Sequence, residues 1–259
     1  MENHTDIETL LTKYFEGKTT PPENEQIEAW LNENLASFQM AKTIIEDLKP
    51  SDEELKTILD GYYGYNSNYP EGLYVADSAG QLITASESTK KESDVTNSTW
   101  YKEGLTRVNM AVGSAYQNAD GVNVISASGI LNDGSDKVRV ISADMTLDRI
   151  AIIVNSFIEM NDAEAFLVDK TSGVILANRD SSLISQTLGA EGQSHFYQLT
   201  AEKAAEKDYN FATLDGNMTV FQEVDGTNWL LISYIPTSIV LSDLTQLRNI
   251  MIVISVICI

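Results

Sequence analysis

The chain has 259 residues, 43% of them hydrophobic, which is enough to build one large core or two ordinary ones. Its formal net charge of -21 argues against DNA, RNA or an anionic lipid surface as partner, because binding to a phosphate backbone draws on clustered Lys and Arg. The single cysteine, Cys258, excludes an intrachain disulfide, and two distant histidines, His4 and His195, give no support to a structural zinc site or a histidine-dependent triad.

In chain order, the first 68 residues read as a helical region. Apolar residues recur at helical spacing through Ile7, Leu10, Leu11 and Tyr14, then Ile27, Trp30, Leu31 and Leu35, then Ile44, Ile45, Leu48, Leu55, Ile58 and Leu59. Thr20-Pro21-Pro22-Glu23 and Pro50-Ser51-Asp52-Glu53 interrupt the pattern with helix-start chemistry. A tyrosine-rich stretch from Gly61 to Pro70 ends the region. The opening residues, Met1 to Asp6, are polar and carry no signal peptide, so an exported chain implies a further membrane helix upstream.

A motif then occurs twice. Gly72-Leu73-Tyr74-Val75-Ala76-Asp77 leads through Gly80 into Leu82-Ile83, and Ala165-Phe166-Leu167-Val168-Asp169 leads through Gly173 into Val174-Ile175-Leu176. Each copy reads as a β-hairpin whose turn glycine supplies positive φ, so two similar sheets are expected in tandem. After the first hairpin come a polar stretch from Glu87 to Ser98, a short helix at Trp100-Tyr101-Lys102-Glu103-Gly104-Leu105, and a turn over 114–121. Strands are expected from Val122 to Ser128 and from Val138 to Ala143, joined by a hairpin tip at Asn132–Asp136 whose aspartates are solvated or hold a cation weakly. A helix from Leu147 to Ile158 connects the modules.

The second module holds a helix from Gly192 to Lys207, a strand start at Tyr209-Asn210-Phe211, and strands over Met218–Glu223 and Trp229–Ile235. Pro236-Thr237-Ser238 then breaks into an amphipathic stretch and the uncharged run Ile250–Ile259. A bilayer crossing takes roughly 20 apolar residues. The run is read as the start of a transmembrane helix, with a terminal helix packed on the protein as the alternative.

This order of elements resembles the double Cache domain, the extracytoplasmic ligand-binding region of bacterial chemoreceptors and other transmembrane signal transducers. The resemblance rests on Gly72–Asp77 with Gly80, Trp100-Tyr101, Val140–Leu147, Phe166–Asp169 with Gly173, and Asn228–Pro236. It implies an α+β fold: a long N-terminal helix (1–68), a membrane-distal PAS-like antiparallel-sheet module (69–160), a membrane-proximal one (161–236), and an exit helix entering a truncated transmembrane segment (237–259). It also implies a pocket for a small polar metabolite lined by Trp100, Tyr101, Tyr116, Asn118 and Asp144, with Asp144 accepting a ligand ammonium and the aromatic rings forming walls.

Two departures bear on the ligand. Amino-acid-binding members carry an arginine two residues before the Trp-Tyr pair, where this chain has Ser98, and an acid two residues after the pocket tyrosine, where it has Asn118. A bidentate guanidinium is hard to replace with hydroxyls, so an amine carries equal or greater weight than an amino acid unless Lys90, Lys91 or Arg107 folds in. Glu103 and Asp120 are further sources of negative charge. Asp144 sits in an otherwise apolar strand, where it must be paired, cap the following helix or serve a ligand.

No catalytic motif, cofactor or metal site is expected: the chain has no Gly-x-Ser-x-Gly elbow, no phosphate-binding glycine loop and no Cys/His cluster. The expected partners are the small-molecule ligand, the membrane through the C-terminal helix, and a second copy in a homodimer. The competing reading is a surface interaction or structural module whose pocket is occluded by its own side chains.

Overall fold

The computed structural model describes residues 23–157 and 163–240. Helix α1 (Glu23–Leu48) buries Ile27, Leu31, Phe38, Ala41 and Ile45 along one face, the spacing of a stripe turned to a core. Helix α2 (Asp52–Asp60) starts at a capping box foreshadowed by the Pro50-Ser51 boundary. The Glu54 N–H donates to Ser51 Oγ, and the Ser51 N–H donates to Glu54 Oε2 at 2.9 Å.

Two five-stranded antiparallel sheets follow. The first comprises β1 (Tyr74–Asp77), β2 (Leu82–Ile83), β3 (Ala111–Gln117), β4 (Asn123–Leu131) and β5 (Arg139–Thr146), in spatial order β2-β1-β5-β4-β3. The second repeats that order as β7-β6-β10-β9-β8, built from β6 (Glu164–Asp169), β7 (Ile175–Ala177), β8 (Ala212–Leu214), β9 (Asn217–Val224) and β10 (Trp229–Pro236). The repeated motif is explained by its turn. Asp77 Oδ1 accepts from the N–H groups of Ala79 and Gln81 at 2.8 and 3.0 Å, with Gly80 at φ 83°. Asp169 Oδ1 likewise accepts from Thr171 and Ser172, both at 2.8 Å, with Gly173 at φ 71°. In each copy the aspartate satisfies turn donors that a strand cannot, and the glycine supplies the left-handed residue.

Side chains alternate across the strands, so each sheet has two covered faces. One continuous core joins α1, α2 and α4 (Leu147–Phe157) to the inner faces of both sheets, through Val75, Ile141 and Ala143 in the first and Leu167, Trp229 and Leu231 in the second. The outer face of the first sheet is covered by α3 (Thr99–Gly104), around Tyr74, Trp100, Tyr101 and Val140. That of the second is covered by α5 (His195–Ala205), around Phe166, Phe196 and Phe221. Gly104 sets how closely α3 lies on its sheet: a Cβ there would stand 2.3 Å from Val140 Cγ1, so any larger residue lifts the helix and its aromatic pair.

Two expectations change. The segment read as a turn over 114–121 begins as the second half of strand β3, through Gln117, and only Asn118–Gly121 turns. Gly, Ser and Ala at 113–115 are poor strand formers, and pairing with β4 across a bulge between Val112 and Ala115 holds them extended. The hairpin tip is not wholly solvated either. Asp133 is 3% exposed and pairs with Arg139 at 2.8 Å, and Arg139 also binds Asp52 at the start of α2, so this carboxylate docks the tip rather than offering a cation site. The exit helix enters the description only at 237–240, which are helical, and the rest of 237–259 lies outside the described residues. Among the described residues no helix is long and apolar enough to cross a membrane.

Candidate functional site

The outer face of the first sheet carries one carboxylate. On β5, Val140, Ser142 and Asp144 point to that face, as do their cross-strand neighbours Tyr74 on β1, opposite Ser142, and Ser126 on β4, opposite Asp144. Asp144 Oδ1 accepts from the Tyr74 hydroxyl, from Ser126 Oγ at 2.5 Å, and at longer range from the Tyr116 hydroxyl at 3.4 Å. Tyr116 and Ser126 hydroxyls are themselves 2.8 Å apart. Asp144 Oδ2 accepts from Lys90 Nζ, whose ammonium lies 4.1 Å from the centroid of the Tyr74 ring. The Asp144 carboxylate is therefore paired through this cluster.

The aromatic enclosure comes from α3. Trp100 is fully buried, meeting Tyr74 edge-on at 4.9 Å and Tyr101 at 5.8 Å, and its indole N–H donates to Glu92 Oε2 at 3.4 Å. Tyr101 is buried beside it, with its hydroxyl donating to the Val138 carbonyl at 3.4 Å. Burial, then the Asp144 charge, push both the Tyr74 and the Tyr116 hydroxyls well above the ordinary phenol range, so both stay protonated donors.

Of the five residues singled out in the sequence, Trp100, Tyr101, Tyr116 and Asp144 come together on this face. The Asn118 carboxamide is engaged at the adjoining turn, where its Oδ1 accepts from the Asp120 and Val122 N–H groups at 3.1 and 2.9 Å. Ser98 precedes α3 and donates to the Val95 carbonyl at 2.6 Å. Of the three cations considered as substitutes for an arginine, Lys90 reaches the site. Arg107 is held by the Ala111 carbonyl and Glu103, and Lys91 is exposed. The sequence pattern does not single out Tyr74 or Ser126. Tyr74 was visible as a polar-tipped residue in the repeated strand, but its partner lies 70 residues away. Among the described residues no group of three or more His, Cys, Asp or Glu is placed to hold a metal ion.

Comparison with known proteins agrees with this architecture. The ligand-binding domain of the Pseudomonas fluorescens chemoreceptor CtaA, solved with L-isoleucine, is 18% identical and superposes with a TM-score of 0.69 over 93% of this chain and 98% of that one. The ligand-binding domain of the Pseudomonas aeruginosa PAO1 amino acid chemoreceptor PctB, solved with L-Gln, is 17% identical with a TM-score of 0.62, covering 83% and 87% of the two chains. That of Mlp24, solved with asparagine, is 17% identical with a TM-score of 0.62, covering 90% and 93%. These likenesses establish a shared fold. No curated protein matches the sequence. The Cache domain family model, in its double form, matches residues 18–244, and the chain belongs to that family.

Proposed function

We propose that this chain is the extracytoplasmic sensor domain of a bacterial transmembrane receptor, and that it takes a small polar metabolite of the amine or amino acid class in the first, membrane-distal module. The observation that carries this reading is the Asp144 carboxylate, set within a buried aromatic cluster and already engaged by an ammonium over a tyrosine face. Charge pairing and cation–π attraction are the chemistry that recognises a ligand ammonium. Trp100, Tyr101 and Tyr116 supply the walls, with Asn118 at the turn beside them. Ser98 offers no guanidinium for a ligand carboxylate, which weights the reading toward amines.

On this reading 69–160 and 161–236 are the distal and proximal modules, 1–68 the helical stalk, and 237–259 the exit helix entering the membrane. A ligand that binds two packings of α1 unequally shifts their populations and moves the exit helix. A homodimer would carry that movement. The family and its solved relatives are sensory ligand-binding domains, and the proposed role is binding rather than catalysis.

A second reading is favoured by one observation: Trp100 packs on Tyr74, and Tyr116 joins the same cluster, as expected of a structural module closed by its own side chains. A thermal-shift screen of the full chain against amines, amino acids, nucleobases and carboxylates separates the two. A ligand at 100 times its dissociation constant adds roughly 2.7 kcal/mol. Stabilisation by amines or amino acids that disappears in Asp144→Ala supports the sensor. Stabilisation by carboxylates alone overturns the ligand class, and silence throughout favours the closed module.

A further inference from the structure

Lysine side chains ordinarily keep their ammonium in water. That of Lys90 is 7% exposed and that of its partner Asp144 11% exposed, so the pair is largely withdrawn from solvent. The Lys90 ammonium has a carboxylate oxygen on one side and the Tyr74 ring on another, the two features that recognise a free ammonium. The other carboxylate oxygen is taken by Tyr74 and Ser126. A second ammonium arriving at Asp144 would meet a like charge and a carboxylate whose oxygens are both engaged.

The way out for Lys90 runs through its loop, not through the sheet. Tyr74, Ser126 and Asp144 sit on paired strands. Lys90 sits between β2 and α3 on a segment outside the sheet, held by side-chain and turn contacts rather than by strand pairing. Its N–H donates to Ser88 Oγ at 3.2 Å, Ser88 Oγ donates to Glu71 at 2.6 Å, and the Ser88 N–H donates to the Ala85 carbonyl. Ser86 donates through its N–H and Oγ to Asp60, and Glu92 receives the Trp100 indole N–H. We propose that Lys90 is a tethered competitor for the ligand ammonium: an amine enters by displacing Lys90 from Asp144, and filling the site releases the loop that carries it. This rests on the reading of the Asp144 cluster as the ligand site. The exchange replaces one ammonium by another, so Asp144 is never left buried without a counter-ion, the costly outcome when one member of a buried pair is simply removed. The freed lysine returns to water. Affinity for amines is then lowered by the fraction of molecules in which Lys90 holds the site.

The test uses n-butylammonium, which has the carbon count and head group of the lysine side chain, titrated into the full chain against equal sodium chloride. Lys90→Ala is expected to bind it about tenfold or more tightly than the unaltered chain, and Lys90→Ala/Asp144→Asn not to bind it. Equal affinity in the first two proteins overturns the proposal. If Lys90→Ala does not fold, hydrogen exchange on the unaltered chain decides: n-butylammonium at saturation should speed exchange of the amides of 84–94, and unchanged exchange there overturns the proposal. If the screen finds a ligand lost in Asp144→Ala whose affinity falls in Lys90→Ala, Lys90 anchors that ligand, and the proposal fails while the site stands. If Lys90→Ala takes n-butylammonium at Asp144 while no metabolite moves the unaltered chain, the exchange at Asp144 holds and the sensor reading fails.

Discussion

Counting along each sheet from its turn aspartate aligns the two modules residue by residue. Asp77 pairs with Arg139, and Asp169 with Trp229. Three positions before each aspartate stand Tyr74 and Phe166, and five positions into the central strand stand Asp144 and Tyr234, opposite Ser126 and Thr219. The covering helices offer Trp100-Tyr101 in one module and Phe196-Tyr197 in the other. In the second module these positions close on one another: Phe166 lies 5.2 Å from Tyr197, Phe196 lies 4.5 Å from Tyr234, and the Tyr234 hydroxyl turns aside to Glu164. In the first, an aspartate in place of that tyrosine draws three hydroxyls and an ammonium inward. One scaffold thus makes an aromatic-packed face or a charged site according to the residues at matching register positions, Tyr234 against Asp144 and Phe166 against Tyr74, because a buried carboxylate demands partners that an aromatic ring does not.

The comparison is most severely tested by removing an aromatic residue from the second module. Phe166→Ala should cost about 3–5 kcal/mol, the range for emptying a buried phenylalanine site, measured by urea unfolding. Any ligand-induced stabilisation at Asp144 should survive in the folded fraction, and its loss would show that the two faces are not separable.

A smaller effect sharpens the chemistry of the first module. Tyr74 and Tyr116 titrate above their unfolded value because burial, then Asp144, disfavour the phenolate. Their contribution to stability is whole below about pH 10 and is lost as the pH rises past it, at about 1.4 kcal/mol per pH unit for each tyrosine. Tyr74→Phe and Tyr116→Phe should each flatten the alkaline fall in stability by about that slope, followed by unfolding at a series of pH values. An unchanged slope would mean that these hydroxyls are not held neutral by the site.

The smallest change lies at the second module's counterpart of Asp144. Tyr234→Phe deletes a hydroxyl bonded to Glu164 but keeps the ring between Phe166 and Phe196, so about 1 kcal/mol is expected. A much larger loss in the same unfolding experiment would reveal a polar network in the second module as demanding as that of the first.

Much of this was legible in the sequence. The paired hairpins, their Asp and Gly turn chemistry, the α2 capping box and the helix carrying Trp100-Tyr101 are local patterns within a few residues of one another. Strand β3 was less legible, because Gly113-Ser114-Ala115 has little strand preference of its own and is extended by its neighbour. Asp133 lies at its hairpin tip as the sequence implies, but the solvated role expected for it gives way because no local pattern announces that Arg139, six residues on, folds over it with Asp52 from α2.

The sequence by itself determined the two-sheet plan and placed one acid, Asp144, in an apolar strand where it had to be satisfied. What satisfies it was decided only by tertiary structure. Tyr74 lies 70 residues away, Lys90 54 and Ser126 18, and they meet because strand pairing fixes one set of positions and the loop before α3 delivers the other. Hydrophobic periodicity reports which face of an element is buried, but it carries no information about which distant side chain shares that burial.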